Sequence, residues 1–382
     1  MNSFQSVRDL LHVWQPEAPV YCVYSHVYND STQQFLRGFP GRVLYAVKAN
    51  DDPAVVRMMH RAGVTDFDCA SLPEIALVSE NCPGATCYFM VPVRLRGAAR
   101  AAQQQYGVRH FVVDHPKGLE LLAGEIDMKR AVVFARMAVH HNAAIYDLSS
   151  KFGAPPTEIP GLIKAIADRG AEPALAFNVG SSVRSPDAYR HALGVAADVL
   201  AELPFRLRLV DIGGGYPRSY PGYVMPPLED YFAAIREGIR GLPLAEGGEI
   251  LGEPGRALAA PGLSALTEVL LRKDDRLYIN DGLYGIFWEL RFEGHNRYPV
   301  RAYRNGQPLT GGEQRSFRLF GPTCDSTDIL PGAVDLPAEI DTGDYLEFGN
   351  IGAYSLGGRT RFNGHFSDQI VHIDGMGELP PV

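Results

Sequence analysis

Short apolar runs alternate with segments of helical periodicity over residues 43–252. Between the runs, apolar residues recur at helical spacing, as in Tyr231, Phe232 and Ile235. Because strands of a parallel sheet are buried on both faces, each run predicts a strand of such a sheet. The eight runs are Arg42 to Val47, Val64 to Asp68, Cys87 to Val91, His110 to Val113, Ala131 to Ala135, Ala174 to Phe177, Leu207 to Ile212 and Glu249 to Gly252.

Helix boundaries are marked locally between these runs. Pro53 follows Asp52 at a first helical position, and Gly63 ends the segment. Ser185 opens another helix that continues to Leu200. Eight strand-helix units favour a closed (β/α)8 barrel, similar to the TIM barrel, over an open doubly wound sheet. Active sites of such barrels form at the C-terminal ends of the strands.

β-type segments replace the helical pattern after Pro261. We therefore expect an α/β barrel over residues 24–261 and an all-β sheet or barrel domain made of residues 1–23 and 262–382. The run Val20 to Tyr24 either joins this sheet or braces the barrel. The other predicted strands are Ser264 to Leu271, Arg276 to Ile279, Tyr298 to Tyr303, Ser316 to Phe320, Tyr345 to Phe348 and Asp368 to Ile373.

Polar residues and glycines follow the predicted barrel strands at one end. The most informative is Lys48, because a lysine held at the end of an apolar segment can shift its pKa and attack an aldehyde. The residues that share this end are Lys48, Asp68, Arg136, Asn178, Ser181, Gly213, Gly214, Gly215 and Glu253. Their convergence on one face predicts a ligand site.

The last two strand ends predict a phosphate site. Loops after the seventh and eighth strands commonly hold a phosphate in this fold. Three consecutive glycines let backbone N–H groups approach an anion, and Arg256 adds a guanidinium fork suited to phosphate. A dinucleotide site is disfavoured, since no Gly-x-Gly-x-x-Gly follows an early strand.

Composition narrows the partners to small molecules. The 382 residues carry a formal net charge of −8 with no long basic run, which disfavours nucleic acid and membrane surfaces as partners. No signal-peptide pattern or membrane-spanning run is recognised, and the five cysteines are an odd number, so we expect a cytoplasmic protein with reduced thiols. No cysteine or histidine spacing indicates a metal site.

Eight motifs occur in an order typical of one family. They are Tyr45 to Asn50, Phe67 to Ser71, Ser150 to Gly153, Val179 to Ser181, Gly213 to Gly215, Glu253 to Arg256, Gly321 to Asp328 and Gly352 to Tyr354. With them the chain resembles the fold-type III pyridoxal-phosphate decarboxylases, the group of ornithine, diaminopimelate and arginine decarboxylases with an alanine racemase-like barrel. It is most similar to ornithine decarboxylases, and the resemblance covers nearly the whole chain.

The resemblance implies a role for each matching residue. Lys48 would bind pyridoxal 5'-phosphate covalently, and Glu253 would keep the pyridine nitrogen protonated so that the ring acts as an electron sink. Cys324 would return a proton to the substrate carbon, which makes Lys48, Glu253 and Cys324 the expected catalytic residues. The expected cofactor-binding residues are Lys48, Asp68, Arg136, Asn178, Ser181, Gly213, Gly214, Gly215, Glu253, Gly255, Arg256 and Tyr354.

The substrate side is implied to be shared between two subunits. Asp325 would bind the distal ammonium of a basic amino acid, and Trp288, Phe362 and Glu293 are expected to line the same space. In the family, the residues matching Cys324 and Asp325 reach into the partner's barrel, so the resemblance implies a head-to-tail homodimer. A lyase of polyamine biosynthesis is the implied role.

Two positions depart from the family pattern. Asn178 stands where the family normally places a histidine that stacks on the cofactor ring, and an amide cannot titrate. Glu293 takes the place of a second aspartate, and its extra methylene shortens the space for the substrate. Arg291, in the same loop, either meets a substrate carboxylate or is an exposed strand residue.

Three functions follow as hypotheses. The acidic pair Asp325 and Glu293 favours decarboxylation of ornithine, lysine or a shorter diamino acid. Arg291 would instead suit a biosynthetic decarboxylase of a modified or carboxylated amino acid, of the siderophore or diaminopimelate type. Asn178 is the only support for a catalytically silent homologue that binds the cofactor. A racemase of the same fold is disfavoured by Cys324 and Asp325, which match the decarboxylases.

Overall fold

A computed structural model describes residues 2–143, 149–292, 298–375 and 380. The chain divides into two compact units, which we call the barrel unit and the sheet unit. The barrel unit comprises Thr32–Arg218 and Met225–Ala257, and the sheet unit comprises Met1–Ser31, Ser219–Val224 and Leu258–Val382. The sequence-based domain boundaries at residues 24 and 261 stay a prediction.

Strands and helices are numbered here in chain order. The strands are β1 (Ser3–Phe4), β2 (Val20–Val23), β3 (Arg42–Ala46), β4 (Asp66–Cys69), β5 (Thr86–Phe89), β6 (His110–Val113), β7 (Val132–Met137), β8 (Glu172–Phe177), β9 (Leu209–Asp211), β10 (Glu249–Gly252), β11 (Leu263–Lys273), β12 (Arg276–Ile279), β13 (Val300–Arg304), β14 (Gln307–Pro308), β15 (Gln314–Phe320), β16 (Val334–Pro337), β17 (Tyr345–Phe348) and β18 (Ile370–Ile373). The helices are α1 (Val7–Val13), α2 (Ser25–Gly38), α3 (Pro53–Arg61), α4 (Leu72–Asn81), α5 (Ala98–Tyr106), α6 (Pro116–Ala123), α7 (Ile159–Asp168), α8 (Asp187–Ala201), α9 (Leu228–Ile239) and α10 (Arg256–Ala259).

The barrel unit contains a closed ring of eight parallel strands. They follow one another from β3 to β10, and β10 pairs with β3 to close the ring. Apolar side chains fill the ring, among them Leu44, Tyr88, Met90, Val112, Phe134, Ala174 and Leu251. The predicted (β/α)8 barrel is confirmed, and its C-terminal strand ends are where a site is expected.

Local capping explains where the elements begin and end. The carboxylate of Asp52 accepts hydrogen bonds from the N–H groups of Ala54 and Val55, which starts α3 at Pro53 as predicted. The predicted strand from Val64 begins two residues later, because the N–H of Val64 bonds back to Met59 O at 3.1 Å and completes the end of α3.

The sheet unit contains a mixed β-sheet with its own core. The strand order is β1-β18-β2-β11-β12-β15-β16, and β17 pairs with both β11 and β13. The run Val20 to Tyr24 joins this sheet, because β2 pairs antiparallel with β11 and parallel with β18. Its core includes Leu10, Val20, Cys22, Leu266, Tyr303, Val371 and Ile373.

Strand β16 was missed by the sequence pattern. Its four residues, Val334–Pro337, include an aspartate and a proline, which weaken the strand signal, and it is held by antiparallel pairing with β15. Among the described helices, none is both long enough and apolar enough to pass through a bilayer.

Candidate active site

Lys48 leaves the barrel on a single turn of 3-10 helix. Strand β3 stops at Ala46, and Val47–Ala49 form the turn, so the predicted strand ends one residue earlier than expected. The hydroxyl of Tyr45 donates to Asn50 O at 3.0 Å and holds the end of this turn. The Lys48 side chain is 44% exposed, and its Nζ lies 3.0 Å from Asp68 Oδ2. An ammonium is therefore presented at the barrel mouth beside a buried carboxylate.

Three carboxyl groups surround this end of the barrel. Asp68 is 1% and Asp211 0% exposed, and the N–H of Gly213 donates to Asp211 Oδ1 at 2.8 Å. Burial raises the pKa of Glu253 well above its usual range, and the neighbouring Asp211 and Asp68 raise it further. Burial likewise raises the pKa of Asp211. Glu253 thus retains a proton more readily than a free glutamate does.

Asp211 was not singled out from the sequence. It lies in the apolar run that forms β9, directly before Ile212 and the three glycines. An acidic residue inside such a run is costly to bury unless it serves the site, and that was the available signal.

Glu74, a capping residue near Asp68, was also not singled out from the sequence. Ser71 caps α4, and the Glu74 carboxylate accepts from the N–H of Ala70 at 2.6 Å. Burial raises the pKa of Glu74 to about 7, with a further increase from Asp68 and an opposing effect from Lys48. The spacing Ser-x-x-Glu before an apolar segment is a recognisable signal for this arrangement.

The three glycines are required by close backbone packing. A Cβ on Gly213, whose φ is +70°, would lie 2.4 Å from Phe177 O, and a Cβ on Gly214 would lie 2.6 Å from Glu253 O. Among the hydrogen bonds of the described residues, none uses the N–H of Gly214 or Gly215. The glycines therefore serve packing first, and they leave two donors for an anion.

Asn178 shapes the neighbouring turn. The side chain is 9% exposed, and its Oδ1 accepts from the N–H of Gly180 at 2.9 Å. Ser181 follows this turn and is partly buried. An amide at position 178 thus has a structural partner within its own loop.

Arg136, Gly255 and Arg256 are the remaining residues of the barrel unit that were predicted to bind the cofactor. The Arg136 guanidinium lies 5.5 Å from the ring centroid of Phe152, and the following Gly153 donates its N–H to Asp114 at 3.0 Å. Gly255 and Arg256 are buried at the start of α10. Asp68 and Arg136 thus lie near the ends of β4 and β7, and the other barrel-unit residues predicted to bind the cofactor lie after β3, β8, β9 and β10.

The sheet unit holds the residues predicted to contact the substrate. Cys324 is exposed and donates its backbone N–H to Asn363 Oδ1 at 2.9 Å. Asp325 accepts from the Tyr284 hydroxyl and, at 2.9 Å, from the N–H of Thr327. The hydrogen bond from Tyr284 lowers the pKa of Asp325 below its usual range, so this carboxyl is ionised at neutral pH.

Aromatic side chains and an arginine stack beside Asp325. The rings of Tyr284 and Phe362 are stacked with centroids 4.4 Å apart, and the Arg291 guanidinium lies 4.1 Å from the Tyr284 centroid. Arg291 is exposed, as one alternative expected, but it belongs to a 3-10 helix, Trp288–Phe292, and not to a strand. Trp288, at the start of this helix, packs against Gly358, where a Cβ would clash with the indole.

Asp328 fixes the two loops of this cluster. Its Oδ1 accepts from the N–H of Leu283 at 2.7 Å, and its Oδ2 accepts from the Thr323 hydroxyl at 2.7 Å. Tyr284 and Asp328 were not predicted as site residues. Tyr354 lies in the sheet unit with a φ of +54°, and Glu293 lies outside the described residues.

The barrel unit fits pyridoxal 5'-phosphate. An exposed amine is held by a buried carboxylate, Asp68, whose other oxygen has no hydrogen-bond partner within the described ranges. A second carboxyl, Glu253, has a raised pKa, which suits a partner for a pyridine nitrogen, and the N–H groups of Gly214 and Gly215 are suited to a phosphate.

Comparison with known proteins agrees with this fit. The chain belongs to the pyridoxal-dependent decarboxylases, since the family model for their pyridoxal binding domain matches residues 26–260. It is therefore an enzyme that uses pyridoxal 5'-phosphate to decarboxylate its substrate.

Particular relatives are similar over nearly their whole length. A lysine/ornithine decarboxylase of Selenomonas ruminantium is 33% identical over 351 residues, which cover 88% of this chain and 85% of the relative. The structure of a lysine/ornithine decarboxylase from Vibrio vulnificus, complexed with putrescine, has a TM-score of 0.81 at 28% identity and covers 94% and 95% of the two chains. The arginine decarboxylase of Paramecium bursaria Chlorella virus, bound to agmatine, has a TM-score of 0.84 at 25% identity and covers 96% and 98%.

Proposed function

We propose that this enzyme decarboxylates a basic amino acid that ends in an ammonium group, such as ornithine, lysine or a shorter homologue, to a diamine and carbon dioxide. The observation that carries the proposal is Asp325, an ionised carboxylate held by Tyr284 and Thr327 next to Cys324. A compact ammonium is the natural partner of such a carboxylate. The named activities of the relatives support the same substrate class.

The barrel unit would hold the cofactor. Lys48 would bind its aldehyde and Asp68 would orient the amine. The N–H groups of Gly214 and Gly215 would bind its phosphate together with Ser181, Arg256 and Tyr354. Gly213, Gly255 and Arg136 would line the same cofactor site. Bound there, the cofactor supplies an electron sink for the bond to the leaving carboxylate.

Two residues manage protons in this reaction. Glu253 would lie beside the pyridine nitrogen and help to keep it protonated, because the raised pKa of Glu253 makes this carboxyl retain a proton more readily than a free glutamate. The Cys324 thiol supplies one proton to the carbon that has lost its carboxylate. Substrate and one proton are thus converted into amine and carbon dioxide.

A homodimer with shared sites is part of the proposal. Cys324 is exposed, and Asp325 is partly exposed, on the single chain. Reactive groups of this kind need to be covered so that water is excluded. A second copy, whose barrel receives Cys324 and Asp325, is the proposed cover.

We also place the enzyme in polyamine biosynthesis and in the cytoplasm. Diamines are the direct products of the proposed reaction. The five cysteines are all free, and four of them are buried, which suits a reducing compartment.

A panel of L- and D-amino acids tests the substrate class. We expect carbon dioxide and diamine from one or more of ornithine, lysine and 2,4-diaminobutyrate, and little from diaminopimelate. Lys48→Ala should abolish turnover, while Lys164→Ala, at an exposed position of α7, should not. Turnover of carboxylated substrates alone would favour the second hypothesis, and cofactor absorbance without turnover on the whole panel would favour the silent homologue.

Mixing two inactive variants tests the shared site. Lys48→Ala and Cys324→Ala impair residues that the proposal places on different subunits of each site. Subunit exchange gives mixed dimers with one intact site, so activity should return to about a quarter of that of the wild type. Activity that stays at the level of the separate variants would contradict the shared site.

A further inference from the structure

Both faces of the Tyr284 ring are covered by residues of the same unit. Phe362 is stacked on the ring with centroids 4.4 Å apart, and the Arg291 guanidinium lies 4.1 Å from the same centroid. Two groups this close to one centroid must lie on opposite faces, because on a single face they would collide. The Tyr284 hydroxyl, at the ring edge, donates to Asp325.

This arrangement treats two kinds of substrate cation differently. A guanidinium is planar and gains binding energy from stacking on an aromatic face, whereas an ammonium acts as a point charge and needs only the carboxylate. With Arg291 on one face and Phe362 on the other, the ring next to Asp325 offers no face to an incoming guanidinium. Asp325 itself remains available to an ammonium.

We propose that Arg291 is a specificity-determining residue, which excludes guanidino substrates by occupying the Tyr284 face on which their guanidinium would stack. The inference rests on the proposed function and deepens it, since it restricts the substrate class to amino acids with a terminal ammonium. It also gives Arg291 a role other than binding a substrate carboxylate.

Two consequences of Arg291 can be separated experimentally. Removing its positive charge reduces the repulsion of every substrate cation, so lysine and arginine should benefit alike. Removing its planar group exposes the ring, which benefits a guanidinium in particular. The ratio of kcat/KM for arginine to kcat/KM for lysine therefore isolates the stacking contribution.

The experiment compares Arg291→Met and Arg291→Gln with the wild type. Arg291 is exposed, so both variants should fold. We expect the arginine-to-lysine ratio to rise about threefold to tenfold, the size of a cation–π contact. Arg318→Met is the matched control, because Arg318 is an exposed arginine 5.5 Å from the Phe320 centroid on β15, and its ratio should not change. An unchanged ratio in both Arg291 variants would overturn the inference.

Product binding keeps the inference testable if the proposed function fails. The holoenzyme is titrated with cadaverine and with agmatine, and the shift in melting temperature gives the two affinities. The Arg291 variants should gain affinity for agmatine relative to cadaverine by the same about threefold to tenfold. No relative gain would refute the role of Arg291, whereas a wild type without turnover on any diamino acid would refute only the proposed function.

Discussion

The barrel unit and the sheet unit differ in how they hold their proposed site residues. Those of the barrel unit, proposed to bind the cofactor, are mostly buried, and those of the sheet unit, proposed to bind the substrate, are exposed or partly exposed. In the barrel unit, loss of hydration raises the pKa of Glu253, and repulsion from the buried carboxylates of Asp211 and Asp68 raises it further. In the sheet unit of the single chain, Asp325 is partly exposed and Arg291 is exposed, and hydrogen bonds and stacking hold them. Burial strengthens electrostatic interactions in the first region, whereas solvent weakens them in the second.

Glu253→Gln tests the electrostatic part of this contrast and should have the largest effect. A glutamine fills the same space but cannot give up and retake a proton, so we expect kcat to fall about 100-fold or more. Saturating substrate and cofactor are used in the assay. Glu249→Gln, at the exposed opposite end of β10, is the control; a kcat of Glu253→Gln within a factor of three of the wild type would contradict the role of Glu253.

Asp325→Asn tests the exposed region. The amide keeps the shape but loses the charge, so KM for a diamino acid should rise about 10- to 100-fold with a smaller change in kcat. Asp335→Asn, on β16, controls for the loss of one exposed aspartate, and an unchanged KM would remove Asp325 from the substrate site.

Gly214→Ala tests whether the barrel region depends on close packing. The added methyl would lie 2.6 Å from the carbonyl oxygen of Glu253, so we expect the free energy of unfolding to fall by about 2 kcal/mol. Gly194→Ala, in α8, is the control, because its methyl meets nothing within 4 Å and should leave stability unchanged or raised. Equal unfolding midpoints in urea for the two variants would show that the glycines serve flexibility instead.

Glu74→Gln should give the smallest change, visible in the pH dependence of stability. The pKa of Glu74 is about 7 in the folded protein and about 4.3 when unfolded. The fold favours the protonated form of Glu74. The stabilising contribution of this group is therefore fully present below about pH 4.3 and is lost as pH rises through about 7. Urea unfolding of the apoprotein should show the wild type losing about 1 to 3 kcal/mol more than Glu74→Gln between pH 5 and 8.

The Glu74 experiment needs a control for charge. Glu80→Gln removes a glutamate from an exposed position of the same helix, α4. If Glu74→Gln and Glu80→Gln follow the same pH profile, burial of Glu74 does not affect stability.

The two regions also differ in how far the sequence predicts them. The barrel and its strand ends follow from the alternation of apolar runs, because each strand end carries its polar residue in the local sequence. Lys48 and Glu253 were predicted in this way. Asp211 and Glu74 were not, since their importance comes from burial beside residues that are distant in the chain.

The substrate side depends almost wholly on long-range contacts. Tyr284 and Asp325 are far apart in sequence, yet the hydroxyl of one bonds the carboxylate of the other. In the sequence, the segment around Arg291 lacks helical periodicity and resembles a strand. In the structure, this segment is a 3-10 helix whose Trp288 packs on the distant Gly358. Such contacts have no signature in local sequence.

The covalent link at Lys48 is the central claim, and reduction of the holoenzyme tests it directly. Borohydride fixes a cofactor bound to an amine, and mass spectrometry of the digested protein then locates the modified lysine. We predict a phosphopyridoxyl group on the peptide that contains Lys48 and none on the others. A label on another lysine, such as Lys151, or no label on a cofactor-loaded enzyme, would contradict the account.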